Sequence, residues 1–509
     1  MKKIIALLLA VFSVSSIVAQ GVSDAVRFSH NDLNGTARFS GLSGAFGALG
    51  GDFSSINVNP AGSAVFSNNQ VGFTLNNFSI KNKSNYFDVI NDASNSNFNI
   101  SQAGGVLVFT DANTKNDWKK IAFAVNYENI NNFENSLYAS GVNQNNSIDN
   151  YFLSYANANP SINQGGIYLK TLQNSYYENL RYPDQQAFLG YNGYIINPVD
   201  ALNPNNDMYV SNVPNGGNYY QENYLESTGY NGKLNLNFAA QYKDQLYVGI
   251  NLNSHFTDYR HSTSFYESNN NSSDSGVRNL RFNNDLHTYG DGFSFQLGTI
   301  AKITKEFRLG LAYDSPTWYR LNDELRQTLS STGFNYGNPA NPNLSSTTVD
   351  SDFVIVYEPY NLRTPGKWTG SLAYIFGKSG LISIDYALKD YGNTKFTPKN
   401  EFKNTNSDLS NLLTTAGEFR IGAEYRIKQW SLRGGFRNEQ SPYQNGKTIG
   451  DLTGMSAGVG YNFGNTKLDL AYSASSRESQ NRFFSQGFTD SASVKTKNSN
   501  ISLTLLFEL

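Results

Sequence analysis

Regular alternation of apolar and polar residues constrains this chain more than any other feature. In residues 120–127, Ile121, Phe123, Val125 and Tyr127 alternate with small or polar neighbours. This two-residue period is typical of a strand whose two faces meet different surroundings. About fourteen segments share the pattern, from residue 70 to the final Leu509. The sequence therefore predicts an all-β chain with about fourteen strands.

The connections between these segments alternate in length. Short connections of roughly two to ten residues follow the even-numbered strands, and long ones follow the odd-numbered strands. The longest are rich in Asn, Ser, Tyr and Gly and cover residues 128–231, 315–366 and 391–416. An outer-membrane barrel has short periplasmic turns and long external loops, whereas a soluble β-sandwich has no reason to follow this order. We therefore expect a transmembrane antiparallel β-barrel over residues 70–509.

Composition excludes several other classes of protein. The chain has no cysteine, so disulfides, thiolate metal sites and cysteine nucleophiles are absent. A net charge of −2 argues against a nucleic-acid partner, because such proteins carry a basic surplus. Beyond the N-terminus there is no apolar run of about 18 residues, so helical membrane spans are not expected.

The first 69 residues do not share the alternation. Lys2 and Lys3, an apolar stretch at residues 4–14 and small residues up to Ala19 predict a signal peptide over residues 1–19. Residues 20–69 follow, and we expect them to fold into the lumen as a hatch, because large barrels leave a lumen that is open or plugged.

Several short motifs resemble one family. The glycine-rich stretch GLSGAFGALGG at residues 41–51 leads to Asn59, Pro60, Ala61 and Gly62, directly before the first strand. Residues 420–425 (RIGAEY), 432–436 (LRGGF) and 468–472 (LDLAY) add to the likeness. In these motifs the chain resembles the FadL/TodX family of outer-membrane transport proteins, in particular its Bacteroidetes-type members, some of which are labelled haemin receptors.

The resemblance implies a monomeric barrel of fourteen strands in the outer membrane of a Gram-negative bacterium, in contact with outer-membrane lipid. It implies passive uptake of a hydrophobic small-molecule ligand, such as a long-chain fatty acid or an aromatic hydrocarbon, with no enzymatic activity and no cofactor. In this family the hatch shifts and the ligand leaves sideways through the barrel wall. The corresponding hatch or gating candidates are Asp52, Asn59, Pro60, Ala61 and Gly62, although Asn59 and Pro60 also fit a simple capping turn. The ligand-binding residues stay unassigned.

Three alternatives remain open. A barrel of this family could serve as an attachment or shuttle component of a protein secretion system, and haemin uptake is a second alternative. A barrel-embedded lipase is the third, because residues 454–458 match the G-x-S-x-G pattern around Ser456. That pattern requires a strand-to-helix turn and a histidine further along the chain, whereas the last histidine is His287.

The four histidines do not suggest a metal or haem site. We expect His30, His255, His261 and His287 to be solvated loop residues. His255 and His261 would share one face only if a strand continued through both, and the sequence predicts a loop there.

Overall fold

A computed structural model describes residues 21–113, 115–159, 165–271, 275–334, 344–350 and 353–509. The predicted signal peptide lies outside the described residues. Within these ranges the chain forms a closed antiparallel barrel of fourteen strands, which confirms the predicted fold class. The strands are β1 (Gln70–Tyr86), β2 (Val89–Thr110), β3 (Trp118–Asn132 and Asn135–Asn143), β4 (Tyr219–Tyr242), β5 (Leu246–Asn269), β6 (Gly276–Lys302), β7 (Phe307–Asp314 and Trp318–Phe334), β8 (Ser345–Asp350, Ile355–Val356, Tyr360–Arg363 and Lys367–Phe376), β9 (Gly380–Asp390 and Lys395–Thr397), β10 (Thr415–Ile427), β11 (Trp430–Glu439), β12 (Ile449–Asn462), β13 (Thr466–Arg482) and β14 (Ser491–Glu508).

The barrel closes between its first and last strands. β1 pairs with β14 from Gln70 opposite Glu508 to Asn85 opposite Ser493. Closure therefore leaves no free sheet edge at this seam. A sheet in lipid requires such closure, because the bilayer core offers no water to satisfy unpaired backbone groups.

The outer face carries an apolar belt. On β3, the outward Ile121 is 56% exposed and its inward neighbour Ala122 is fully buried, as the alternation predicts. Comparable exposed apolar residues occur on the other strands and form the lipid-facing surface. Examples are Val71, Phe73, Leu107, Leu236, Phe238, Ile250, Leu252, Leu297, Leu311, Leu372, Ile382, Leu432, Met455, Leu470, Ile501 and Leu503. Among the described residues, no helix is long and apolar enough to span a membrane.

The external segments differ from the expected long loops, because several strands continue far beyond the belt. The connection after β1 is only Phe87 and Asp88, both with positive φ, as a two-residue hairpin turn requires. Within residues 128–231, β3 runs on to Asn143 and β4 begins at Tyr219. Outside the membrane both faces of a strand meet polar surroundings, so the alternation that marks the membrane part disappears.

A compact cap stands between β3 and β4. It contains α3 (Asp149–Ala156), α4 (Leu169–Asn174), α5 (Tyr182–Asn192) and a two-stranded sheet of Ile196–Pro198 and Tyr209–Ser211. Its apolar core includes Phe152 and packs on Phe282 of β6 and Phe488 of the connection before β14. The cap therefore covers the external end of the barrel. A further helix, Lys403–Leu412, lies within the expected loop at residues 391–416.

Candidate functional site

Residues 21–69, called the hatch below, lie inside the barrel. They form α1 (Val22–Ser29), α2 (Ala37–Gly41) and two 3₁₀ turns, Ser54–Asn57 and Pro60–Val65. Their apolar side chains pack with barrel residues in two clusters, one around Leu42 and Phe46 and one around Phe53 and Ile56. The lumen is therefore plugged, as the sequence predicts.

Asn59 joins the hatch to the barrel wall. Its side-chain Nδ2 donates to the carbonyl of Gly47 at 2.7 Å and to the carbonyl of Thr299 on β6 at 2.9 Å. Its Oδ1 accepts from the backbone N–H of Ala61 at 3.1 Å, so the same residue caps the following 3₁₀ turn. Asn59 thus fixes both the hatch fold and its position against β6.

Glycines of the wall make room for this contact. A Cβ at Gly298 of β6 would overlap the Asn59 amide, and a Cβ at Gly249 of β5 would overlap the Pro60 backbone. The carbonyl of Pro60 also accepts from Asn237 of β4 at 2.9 Å. This side of the hatch is therefore held by neutral hydrogen bonds and close backbone packing.

Asp52, Ala61 and Gly62 lie inside the hatch. The Asp52 carboxylate accepts from the Thr36 hydroxyl at 2.8 and 2.9 Å and from the Ser54 backbone N–H at 2.9 Å. Ala61 is fully buried, and the Gly62 carbonyl accepts from the Gly51 backbone N–H at 3.0 Å. These three residues hold hatch segments to one another.

Charged residues hold the opposite side of the hatch. Arg38 pairs with Glu424 of β10 at 2.9 Å, and Glu424 also pairs with Arg433 of β11 at 2.7 Å. Arg433 continues to Asp469 of β13 at 2.5 Å. The Asp385 carboxylate of β9 accepts from the backbone N–H groups of residues 46 and 47 at 2.9 and 3.0 Å.

The barrel wall is interrupted between β2 and β3. Their ladder runs from Thr110 opposite Lys120 to Gln102 opposite Glu128 and ends there. Within the described ranges, the rest of β2 pairs only with β1, and the rest of β3 pairs only with β4. We call the unpaired stretch between residues 89–101 of β2 and residues 129–143 of β3 the opening.

The strand β3 turns inward as it leaves β2. Ser84 and Asn82 are inward-facing residues of β1, and they donate to the β3 carbonyls of Tyr138 at 2.6 Å and Ser136 at 2.7 Å. The outer half of β3 therefore crosses the inner face of β1, and among the residues described only side chains link it to β2. Asn91 donates to the Ser140 hydroxyl at 3.1 Å, and residues 95 and 97 donate to the Glu134 carboxylate at 3.0 and 3.1 Å.

The opening starts at the level of the apolar belt. Ile100, 54% exposed, lies opposite Leu75 of β1, and Phe98, 68% exposed, follows two residues later. These side chains form an apolar rim on the lipid side of the opening.

Residues 30–35 of the hatch, called the closing segment, fill the opening from inside. The Asp32 N–H donates to the Ile130 carbonyl at 2.9 Å, and the Asp32 carboxylate accepts from the Asn132 N–H at 3.0 Å. Asn131 Nδ2 donates to the His30 carbonyl at 2.9 Å. The closing segment therefore satisfies backbone groups of β3 that β2 no longer reaches.

Burial shifts the pKa of two hatch side chains. Burial raises the pKa of Asp52 above its usual value, whereas Arg38 and the hydrogen bonds from Thr36 and Ser54 favour the charged form. Burial, together with the positive charge of Arg477, lowers the pKa of His30 to about 3. His30 is therefore neutral at pH 7.

A cavity of about 550 Å³ lies beside the closing segment. One part of its lining is apolar and includes Val26, Phe78 and Ile80. Another part carries charges of both signs, with Lys389 and Arg477 beside the carboxylates of residues 418 and 439. Residues 30–32 and residues 131–135 of β3 also line the cavity, so it lies against both the closing segment and the β3 edge of the opening.

The histidine prediction is wrong for the β5 pair and for His287. β5 continues through His255 and His261, so the two side chains share the inward face, and His255 is only 4% exposed. His255 Nε2 lies 2.8 Å from the Ser294 hydroxyl and Nδ1 lies 3.4 Å from the Tyr319 hydroxyl. His287 lies on β6, 3.3 Å from an Asp258 carboxylate oxygen.

A family model with the description "Outer membrane protein transport protein (OMPP1/FadL/TodX)" matches residues 221–505, more than half of the chain. The chain belongs to this family. It is an outer-membrane transport protein, as the sequence motifs predict. No curated protein sequence matches the chain.

Solved structures of FadL/TodX proteins have the same fold. The toluene transporter TodX of Pseudomonas putida matches with a TM-score of 0.52 at 13% identity, over 94% of this chain and 99% of that one. A FadL homologue of Pseudomonas aeruginosa matches with a TM-score of 0.50 at 13% identity, over the same shares of the two chains.

Sequence reasoning missed the residues at the opening of this FadL/TodX family member. The charged residues that hold the hatch do lie in the motifs that resemble the family. Glu424, Arg433 and Asp469 belong to residues 420–425, 432–436 and 468–472, respectively. The only local signal for the opening is the Asn-rich stretch at residues 129–132, where three amides interrupt the apolar alternation.

Proposed function

We propose that this FadL/TodX family member is a passive channel that takes up hydrophobic compounds and releases them sideways into the outer membrane through the opening. The observation that carries this proposal is the interrupted β2–β3 ladder with the closing segment inserted in it. A hydrophobic ligand in the cavity contacts both the closing segment and the β3 edge of the opening.

The closing segment is suited to move, because few bonds hold it. Three hydrogen bonds tie residues 30–32 to β3, and a longer one of 3.4 Å runs from the Ser101 hydroxyl to the Gly35 carbonyl. Each such bond contributes about 0.5–1.5 kcal/mol net, or more where a charge takes part. Withdrawal also exposes Leu33, which packs in the cluster around Leu42 and Phe46, at about 1.5–3 kcal/mol. We therefore expect the segment to move mainly when a bound ligand offsets these losses.

The predicted gating residues have a different role in this proposal. Asn59, with Pro60, Ala61 and Gly62, anchors the body of the hatch to β4, β5 and β6, and Asp52 braces it from within. The anchored body stays in place while the closing segment moves. Arg38 and its partner Glu424 hold the same body on the opposite wall.

The cavity favours one ligand class among those the family resemblance suggests. A molecule with a long apolar chain and one polar end matches a lining that is apolar on one part and charged on another. Burial of the chain contributes about 25 cal/mol per Å² of surface removed from water. We therefore propose long-chain fatty acids, and related amphipathic compounds, ahead of unsubstituted aromatic hydrocarbons such as the toluene named for TodX.

Uptake by liposomes tests the proposal. Vesicles with and without the full chain would receive oleate, toluene or haemin, and internal probes would report entry. We expect oleate to enter faster with the protein, and toluene to gain less. Equal oleate entry in both vesicle types would contradict transport, and a gain limited to haemin would favour the haemin alternative.

A further inference from the structure

Four lysines form a cluster on the outside of the barrel. Lys81 and Lys83 lie on β1, Lys495 and Lys497 lie on β14, and all four are exposed on the outward face. Lys81 lies directly opposite Lys497 in the strand register, and Lys83 lies directly opposite Lys495. Residues opposed in this way have Cβ atoms about 4.5–5.5 Å apart.

Local carboxylates do not neutralise the lysine cluster. Lys495 pairs with Glu478 of β13 at 3.0 Å, and Asp92 of β2 lies opposite Lys83 in register. Within the part of the chain that the structure describes, neither Lys81 nor Lys497 has a salt-bridge partner. Four lysines and two carboxylates leave a net charge of +2, and like charges directly opposite each other destabilise a sheet. An anion bound between the opposed lysines removes this repulsion.

The position of the lysine cluster along the membrane normal shows which part of the membrane it faces. The apolar belt on these strands ends near Phe98 of β2, which lies opposite Asn77. Lys81 is four residues further out, about 13 Å along a strand with a rise of about 3.3 Å per residue. Because barrel strands are tilted, the vertical distance is smaller. The ammonium groups therefore lie in the headgroup layer of the outer leaflet.

We propose that the lysine cluster binds the phosphate groups of the outer-leaflet glycolipid, lipopolysaccharide. Lysine ammonium groups complement phosphate charge, and the acyl chains of the same lipid lie against the belt formed by Phe73, Ile501 and Leu503. The cluster adjoins β2, so the bound lipid stands next to the opening. This proposal concerns a lipid site on the outer wall and does not depend on transport through the lumen.

A charge-removal variant with a matched control tests the proposal. The test variant is Lys81→Gln/Lys83→Gln/Lys497→Gln. The control is Lys305→Gln/Lys378→Gln/Lys428→Gln, which removes the same charge from exposed lysines in the turns at the opposite end of the barrel. Each purified full-length protein, in lipid-free detergent, would be titrated with lipid A bearing two phosphates, with the same lipid without phosphate, and with inorganic phosphate.

We expect the wild type and the control to bind the phosphorylated lipid equally. The test variant should bind it about a hundredfold more weakly, since a basic residue at a membrane surface contributes about 1 kcal/mol and 1.4 kcal/mol is tenfold. Unchanged affinity in the test variant would overturn the proposal. Equal binding of the dephosphorylated lipid would show that acyl contacts alone are used, and equal binding of inorganic phosphate would show a free-anion site; either result overturns it too.

A folding readout keeps these outcomes interpretable. Heat-dependent mobility of the barrel in detergent gels would be compared for the three proteins without lipid. The test variant should be at least as heat-resistant as the wild type, because glutamines remove the repulsion between opposed lysines. A loss of binding together with retained heat resistance supports the lipid site.

Discussion

Freeing the closing segment should accelerate transport. The double variant Asp32→Ala/Asn131→Ala removes the bond from the Asn132 N–H to the Asp32 carboxylate at 3.0 Å and the bond from Asn131 to the His30 carbonyl at 2.9 Å. A hydrogen bond to a charged group contributes about 1.5–3 kcal/mol and a neutral one about 0.5–1.5 kcal/mol. Because the Asp32 side chain is partly exposed to the lumen, we take the low end of the sum, about 2 kcal/mol.

A loss of about 2 kcal/mol from the closed state raises the open population about thirtyfold, since 1.4 kcal/mol corresponds to a factor of ten. Where opening limits the rate, initial oleate uptake by proteoliposomes should rise by up to that factor in stopped-flow measurements. The variant keeps the bond from the Asp32 N–H to the Ile130 carbonyl, so its closing segment can still adopt the closed state.

A matched control separates this effect from general loosening of the barrel. Asn143→Ala/Asp490→Ala removes the same residue types at the outermost end of β3, away from the closing segment. It removes the bond of 3.2 Å between the two side chains and three further bonds of 2.9–3.0 Å from residues 145 and 146. Its uptake rate should equal that of the wild type. Unchanged or slower uptake in Asp32→Ala/Asn131→Ala, with the barrel still folded, would refute the assignment of residues 30–35 as the moving part.

Other perturbations address the hatch. Oxidised Ser43→Cys/Ser456→Cys, built on hydroxyls 2.8 Å apart, should lock the hatch body to β12 and leave oleate uptake within twofold of the reduced form. Gly298→Leu should displace the Asn59 anchor, at a cost of about 1–3 kcal/mol for overpacking, and raise ion conductance in planar bilayers. The wild type should lose heat resistance as pH falls from about 6.5 toward 3. The reason is that His30 takes up a proton in the unfolded chain, whereas its pKa of about 3 keeps it neutral in the folded protein. The variant His30→Asn should lose less heat resistance over the same range.

Each of these three predictions has a result that would contradict it. The lock has a control within the barrel wall, Thr332→Cys/Ser346→Cys, whose hydroxyls lie 2.8 Å apart on β7 and β8. Loss of uptake on oxidation of the hatch lock alone would show that the hatch body moves. Wild-type conductance in Gly298→Leu would remove Asn59 as an anchor, and identical pH curves would show that His30 is not buried in the folded protein.

The strand count could be predicted because lipid imposes it. Residues such as Ile121 and Ile501 must face the bilayer, so every second position in the membrane part is apolar. Outside the membrane this requirement ends, and the outer parts of β2 and β4 carry polar residues on both faces. Their strands were therefore expected as loops.

The hatch was predicted from its lack of alternation, but its contacts could not be. Asn59 bonds to the carbonyl of Thr299, 240 residues further along the chain, and Arg38 reaches Glu424. No local pattern encodes such partners. The opening was harder to predict than these contacts, because it is defined by the absence of backbone hydrogen bonds between β2 and β3.

Blocking the lipid side of the opening tests sideways release most directly. Ile100→Cys, at the rim of the opening, and Leu107→Cys, 45% exposed on the same strand where β2 and β3 are paired, would each be labelled with a bulky thiol reagent in this otherwise cysteine-free chain. Oleate uptake should fall strongly on labelling Ile100→Cys and stay unchanged on labelling Leu107→Cys. Full uptake by labelled Ile100→Cys would contradict release between β2 and β3.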